Sequence, residues 1–158
     1  MTKLVVFFSY TGNTKMIANK IRENLNCDIL EIKTVIPYSE DYDAVVKDEQ
    51  NSEASNRLPK IQDTDIDLSK YDEIILGTPV WWYRPAPAIR TFLNQNDLSG
   101  KTIKPFATNA GWLGKTFKEI RALCPNSEIC EGMNIVFESY SDKIVTKEQD
   151  IENWIKTL

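Results

Sequence analysis

The stretch Leu4-Val5-Val6-Phe7-Phe8-Ser9-Tyr10-Thr11-Gly12-Asn13-Thr14 decides how the rest of the chain reads. Its first five residues are apolar without interruption, the pattern of a strand covered on both faces. Beyond Thr14, Ile17, Ile21 and Leu25 recur every four residues and form one stripe of a helix. Ser9 to Thr14 is therefore a turn that leaves a buried strand and enters a helix. The first amides of a helix have no intrahelical acceptor and lie at the positive end of its dipole, so this turn is a seat for an anion. Ser9, Thr11 and Thr14 supply hydroxyls and Asn13 an amide, whereas the first cation, Lys15, only follows the turn. A phosphate here is expected to be held by hydroxyls and N–H groups, not by charge pairing.

The same strand-then-helix order continues outward. Cys27 to Ile32 reads as a second strand. Residues 33 to 70 are polar and too long for a plain loop, with a helix expected around Asp43 to Ala54. Ile74 to Thr78 is a third strand, and Pro87 suits the first turn of a helix carrying Ile89, Phe92 and Leu93. Thr102 to Thr108 is a fourth strand. Phe117, Ile120 and Cys124 mark a helix stopped by Pro125, and Asn134 to Phe137 is a fifth strand. Thr146 and Gln149 have the spacing of a capping box, opening a last helix that buries Ile151, Trp154, Ile155 and Leu158. Five such alternations predict a single α/β domain, a doubly wound parallel sheet with helices on both faces. Ligands of such sheets bind beyond the C-terminal strand ends, which singles out the turns after the first, third and fourth strands.

Composition narrows the function classes. The chain has 158 residues, 42% of them apolar and 27% charged, with a net charge of −4 and no histidine. An acidic chain is a poor nucleic-acid binder. Lack of histidine removes the usual catalytic triads and most zinc sites. Cys27, Cys124 and Cys130 form no Cys-x-x-Cys pair and read as reduced thiols. No charged leader precedes the first strand and no apolar run approaches membrane-spanning length, so a cytoplasmic protein is expected.

The third-strand turn is Pro79-Val80-Trp81-Trp82-Tyr83-Arg84-Pro85. Three consecutive aromatics at a loop tip either pack on the protein's own core or a partner, or wall a flat ligand. The fourth-strand turn, Thr108-Asn109-Ala110-Gly111-Trp112, reads as an ordinary connection with Trp112 in the core, or as polar backbone beside a ligand. All three turns meet on one sheet edge, which fits a phosphorylated planar ring system. Two other patterns are weaker. Asn109 to Thr116 misses a P-loop by its first glycine, and Asp63-x-Asp65-x-Asp67 opens like an EF-hand but has Leu68 where the turn glycine belongs.

On these residues the chain resembles a flavodoxin-like FMN protein. The family's phosphate signature after the first strand, Ser/Thr-x-Thr-Gly-x-Thr, is matched at Ser9, Thr11, Gly12 and Thr14, and the Pro79 to Tyr83 segment is similar to the paired-Trp loop of one branch. The resemblance implies a five-stranded sheet in the order 2-1-3-4-5. It implies that Ser9, Thr11, Asn13 and Thr14, with backbone N–H groups from Tyr10 to Lys15, hold the FMN phosphate. Thr78 and Pro79 would line the ribityl chain. Val80, Trp81 and Tyr83 would meet the isoalloxazine, with Trp81 or Trp82 stacked on its face. Thr108, Asn109, Ala110, Gly111 and Trp112 would border the pyrimidine side.

The implied function is electron transfer or a small FMN-dependent oxidoreductase, working with a redox partner protein or a small acceptor such as a quinone, as a monomer or homodimer. An NAD(P)H-quinone reductase-type enzyme and a non-redox partner-binding module are the alternatives. No glycine occurs from Thr78 to Pro87, so moving Trp82 or Tyr83 into left-handed geometry is expected to cost about 1–2 kcal/mol. A loop that resists such a flip favours two-electron chemistry.

Overall fold

The computed structural model of the chain describes residues 2–55 and 57–158, and the side chains of all of these but 52–55. Strand β1 is Lys3–Phe7, and helix α1, Asn13–Leu25, follows the anion-seat turn. Then come β2 (Asp28–Glu31), α2 (Tyr42–Ser55), β3 (Glu73–Trp81), β4 (Arg84–Pro85) and α3 (Pro87–Gln95). The chain continues through β5 (Thr102–Asn109), α4 (Thr116–Leu123), β6 (Glu128–Ile129), β7 (Met133–Val136) and α5 (Glu148–Ile155). The strands run β2-β1-β3-β5-β6, with β7 also on β5, all parallel. The expected order 2-1-3-4-5 is present, its last position divided between two short strands. β6 pairs with the start of β5 and β7 with its end.

Period-two alternation splits the core. Leu4 and Val6 face one side with Ile74, Leu76 and Ile103, under α3 (Ile89, Phe92) and α4 (Ile120), with Cys124 just past the end of α4. Val5 and Phe7 face the other with Ile75, Phe106 and Ile135, under α1 (Ile17, Ile21) and α5 (Ile151, Ile155). Covering on both faces is why the β1 run carries no polar residue from Leu4 to Phe8.

Two local expectations need correction. The capping box is absent. α5 starts at Glu148 after Lys147, which makes no side-chain cap. The Thr146 hydroxyl instead accepts the Val136 N–H at 2.8 Å, and Gln149 donates to Asn153. Pairing of Phe137 with Ile144 draws Thr146 toward the sheet edge, one position too early for a cap. β3 is longer than expected, because it runs into an antiparallel hairpin with β4. Asp67, last of the acidic run, is exposed. Its carboxylate accepts the Ser69 N–H and hydroxyl and caps the short turn Leu68–Lys70.

Cys124 lies in the first core, and burial pushes its thiol up to about 11 from 9.0. The folded state therefore holds this proton more tightly than the unfolded chain. Its contribution to stability is complete below pH 9 and is lost as pH rises from 9 to 11. The expected result is negligible alkylation of Cys124 by iodoacetamide in the native protein at pH 8. Fast native labelling, read by peptide mass spectrometry, would contradict the burial argument.

Candidate functional site

The anion seat forms at the N-terminus of α1. Gly12 caps the helix at φ +102°, a conformation that L side chains rarely adopt. The Ser9 hydroxyl oxygen accepts the N–H groups of Gly12 and Lys15, both at 3.2 Å. The N–H groups of Tyr10, Thr11, Asn13 and Thr14 meet no protein acceptor among the described residues, which is the donor set an anion requires. Thr14 is buried, and its hydroxyl lies 2.7 Å from that of Thr108, tying the first turn to β5. Asn13 donates to the Ser141 carbonyl at 2.9 Å and so anchors the loop after β7. The Lys15 ammonium points away, to Glu31 at 3.4 Å.

The tryptophan turn differs from expectation. Trp81 pairs with Arg84 across the hairpin, and the two residues between them, Trp82 and Tyr83, have φ of +53° and +63°. Positive φ at both central residues is the type I′ pattern, whose twist matches that of a hairpin. Left-handed geometry is thus the resting state here, not a state reached by a flip. The strain, about 1–2 kcal/mol per residue, is offset from the neighbouring loop. The Lys115 N–H donates to the Tyr83 carbonyl at 2.8 Å, and Gly114 packs directly on the Tyr83 backbone. Arg84 Nε donates to Glu119 at 2.6 Å on α4. The near-miss P-loop is a clamp for the aromatic turn.

The two tryptophans have different roles. Trp81 is edge-on to Phe8, Tyr10 and Tyr38, with centroid distances of 5.7, 5.8 and 5.1 Å. Each such pair contributes about 0.5–1.5 kcal/mol, so Trp81 is held firmly. Trp82 and Tyr83 are exposed at the turn. In the turn after β5, the Asn109 side-chain oxygen accepts the N–H groups of Gly111 and Trp112 at 2.9 and 3.1 Å, and its amide donates to Asn134 at 2.7 Å. Trp112 is 48% exposed, outside the core.

These parts surround a cleft of about 640 Å³. Of the residues singled out from sequence, Tyr10, Thr11, Asn13, Pro79, Val80, Trp81, Thr108, Asn109, Ala110 and Trp112 line it. Thr78 does not. Its buried hydroxyl accepts the Ala86 N–H and donates to the Pro79 carbonyl, fixing the entry to α3. Gly12, Thr14, Lys15 and Gly111 shape the turns without lining the cleft, and Ser9 opens on an adjoining hollow. Trp82 and Tyr83 face a second, smaller chamber.

Sequence reasoning missed Tyr42 on α2 and the loop after β7, where Phe137, Glu138, Tyr140, Ser141 and Asp142 also line the cleft. Tyr42 and Tyr140 meet edge-on at 5.2 Å across it. β1, β2, β3, β5 and β7 end on this edge, so five segments contribute and not three. That parallel arrangement was the available signal. Burial, then the carboxylates of Asp41 and Glu40, raises the pKa of Tyr10; burial, then Tyr140 and Asp43, raises that of Tyr42. Both stay neutral at physiological pH. Among the described residues, the cleft wall includes Glu138 and Asp142 but no lysine or arginine.

Donor set and volume fit a phosphorylated planar cofactor: free helix-terminal amides for the phosphate and aromatic walls for the ring. About 640 Å³ is within the ~300–1,000 Å³ typical of ligand sites.

No curated protein matches the chain in sequence. Solved structures do. A protein of Bacteroides uniformis described as a flavoprotein is 26% identical, with a TM-score of 0.80 over 98% of this chain and 97% of its own. Another from Bacteroides eggerthii is 27% identical, with a TM-score of 0.79 over 99% and 96%. A flavoprotein from Lactobacillus acidophilus, solved in complex with FMN, is 25% identical, with a TM-score of 0.75 over 84% and 92%. The family model for flavodoxin matches residues 2–158. With that match spanning nearly the whole length, and the fold and loop-lined cleft as described, the chain belongs to the flavodoxin family.

Proposed function

We propose that this protein binds FMN in the 640 Å³ cleft and acts in the cytoplasm as a small FMN-dependent redox protein. The observation that carries the reading is the convergence of the α1 anion seat with the aromatic walls of one cleft. The L. acidophilus relative, solved with FMN, supports the choice of cofactor. When bound, the flavin supplies the redox chemistry, and the chain holds, orients and tunes it. The amides of Thr11, Asn13 and Thr14 receive the phosphate. Val80 and Trp81 border the ring on one side, and Asn109 to Trp112 on the other.

Between electron carriage and two-electron catalysis, the hairpin favours the second. The Trp82-Tyr83 turn already occupies left-handed geometry, and its carbonyl at Tyr83 is engaged by Lys115. A change of loop conformation with flavin redox state would have to break that bond. Glu138 and Asp142 in the cleft wall oppose added negative charge on the ring. If oxidised FMN binds a hundredfold tighter than reduced FMN, the two-electron potential falls by roughly 59 mV, at 29.6 mV per tenfold. The acceptor is then a small molecule such as a quinone, or a redox partner protein. Anaerobic reductive titration followed by visible spectroscopy is the test. The expected course is yellow protein bleaching in one two-electron step, at a potential below that of free FMN. A large population of one-electron-reduced flavin at the midpoint would reject the two-electron reading, and failure to take up FMN would reject the cofactor.

A further inference from the structure

Loops from opposite edges of the sheet meet over the cofactor cleft. Tyr42 opens α2, after β2, and Tyr140 lies in the loop after β7. β1, β3 and β5 stand between β2 and β7. Four strand spacings of ~4.8 Å set the two edges roughly 19 Å apart. The rings of Tyr42 and Tyr140 nevertheless meet edge-on at 5.2 Å, and both line the cleft. The two loops therefore bridge the ends of the strands between them, including the end of β1, where the anion seat begins.

Residues 138–143 form a compact tongue. Phe137 pairs with Ile144 at its base. Within it, the Glu138 N–H donates to the Lys143 carbonyl at 2.9 Å and the Ser141 N–H to the Glu138 carbonyl at 3.2 Å. The Lys143 N–H donates to the Ser141 hydroxyl at 3.0 Å. Two contacts reach beyond the tongue. The Asn13 amide, on the anion seat, donates to the Ser141 carbonyl at 2.9 Å, and Tyr140 meets Tyr42. Tyr140 is 88% exposed and sits at φ +55°, a geometry that an L-residue keeps only when its surroundings hold it there.

Resting on the FMN reading, we infer that this tongue is a gate over the cofactor cleft, anchored on Asn13 and latched by Tyr140 on Tyr42. The bound cofactor lies beneath the bridge, and both its entry and its exit wait on the latch. The latch joins two protein rings, so it has the same strength with the cleft empty or filled. Breaking it speeds entry and exit by one factor and leaves affinity unchanged. A residue that only touches the cofactor would slow exit alone.

Stopped-flow quenching of flavin fluorescence measures entry, and exchange against radiolabelled FMN measures exit. Tyr140→Ala and Tyr42→Ala are each expected to speed both rates about fivefold, with the dissociation constant held within twofold. Fivefold is about 1 kcal/mol at ~1.4 kcal/mol per tenfold, within what an edge-on aromatic pair supplies. The double variant matches either single one, because all three lose one contact. Tyr140→Phe keeps the ring pair and the parent rates. Unchanged rates in both alanine variants overturn the inference. So does faster exit at unchanged entry, which makes Tyr140 part of the wall, and faster entry at unchanged exit, which means that the cofactor displaces the bridge. A parent protein that takes up no FMN overturns the FMN reading and the gate with it, whereas rates from a parent that binds FMN bear on the gate alone.

Discussion

Gly114→Ala is expected to lower stability by about 3 kcal/mol and to weaken FMN binding together with it. Gly114 sits at φ +56°, where a Cβ costs about 1–2 kcal/mol. The added carbon would also lie 2.4 Å from Tyr83 Cβ, 2.6 Å from its carbonyl oxygen and 2.8 Å from its Cα. None of these is the far end of a flexible side chain, so the backbone itself must move, an overpacking penalty of about 1–3 kcal/mol. For a chain of this size, 3 kcal/mol corresponds to a fall in Tm of about 6–12 °C. The functional effect follows from the geometry. Displacing Gly114 pulls the Lys115 N–H from the Tyr83 carbonyl, and that bond steadies the strained turn. Thermal melts with and without FMN measure both effects. A variant that melts within 2 °C of the parent, roughly the effect of 1 kcal/mol at most, would show that the turn does not depend on this clamp.

The second large effect concerns the anion seat. Thr11→Asp is expected to raise the FMN dissociation constant about 150-fold and to leave riboflavin binding unchanged. Thr11 is exposed in the turn and lines the cleft, so the substitution leaves the core intact. A carboxylate there is itself attracted by the N-terminus of α1, competes for its amides and repels the phosphate. Losing two charge-assisted hydrogen bonds at ~1.5 kcal/mol each is about 3 kcal/mol, hence the factor. Riboflavin has no phosphate, so it isolates this contribution from ring stacking. Fluorescence titration of each flavin reads the two constants. Equal weakening of FMN and riboflavin would place the phosphate elsewhere.

The hairpin turn shows what one-dimensional reading loses. Tryptophan and tyrosine have no intrinsic preference for positive φ, so Trp82-Tyr83 gave no sign of a type I′ turn. The stabilising contact comes from Gly114 and Lys115, some thirty positions along the chain, in a segment that looked like a broken nucleotide loop. Thr146 misled for the opposite reason. Its spacing to Gln149 satisfied a local rule, but the pairing of Phe137 with Ile144 took its hydroxyl for the sheet edge. Tyr42 and Tyr140 were invisible as site residues, because neither belongs to a motif and only the folded edge brings them within 5.2 Å of each other.

The strand order came from the family resemblance, whereas the sequence by itself determined the layered α/β architecture and the place of the anion seat. Those depend on periodicity and on helix-terminal amides, which are properties of neighbouring residues. The left-handed aromatic turn and the division of space into a cleft and a chamber were decided only by tertiary structure. They arise from contacts between segments far apart in the chain, where packing and shared hydrogen bonds override local preference.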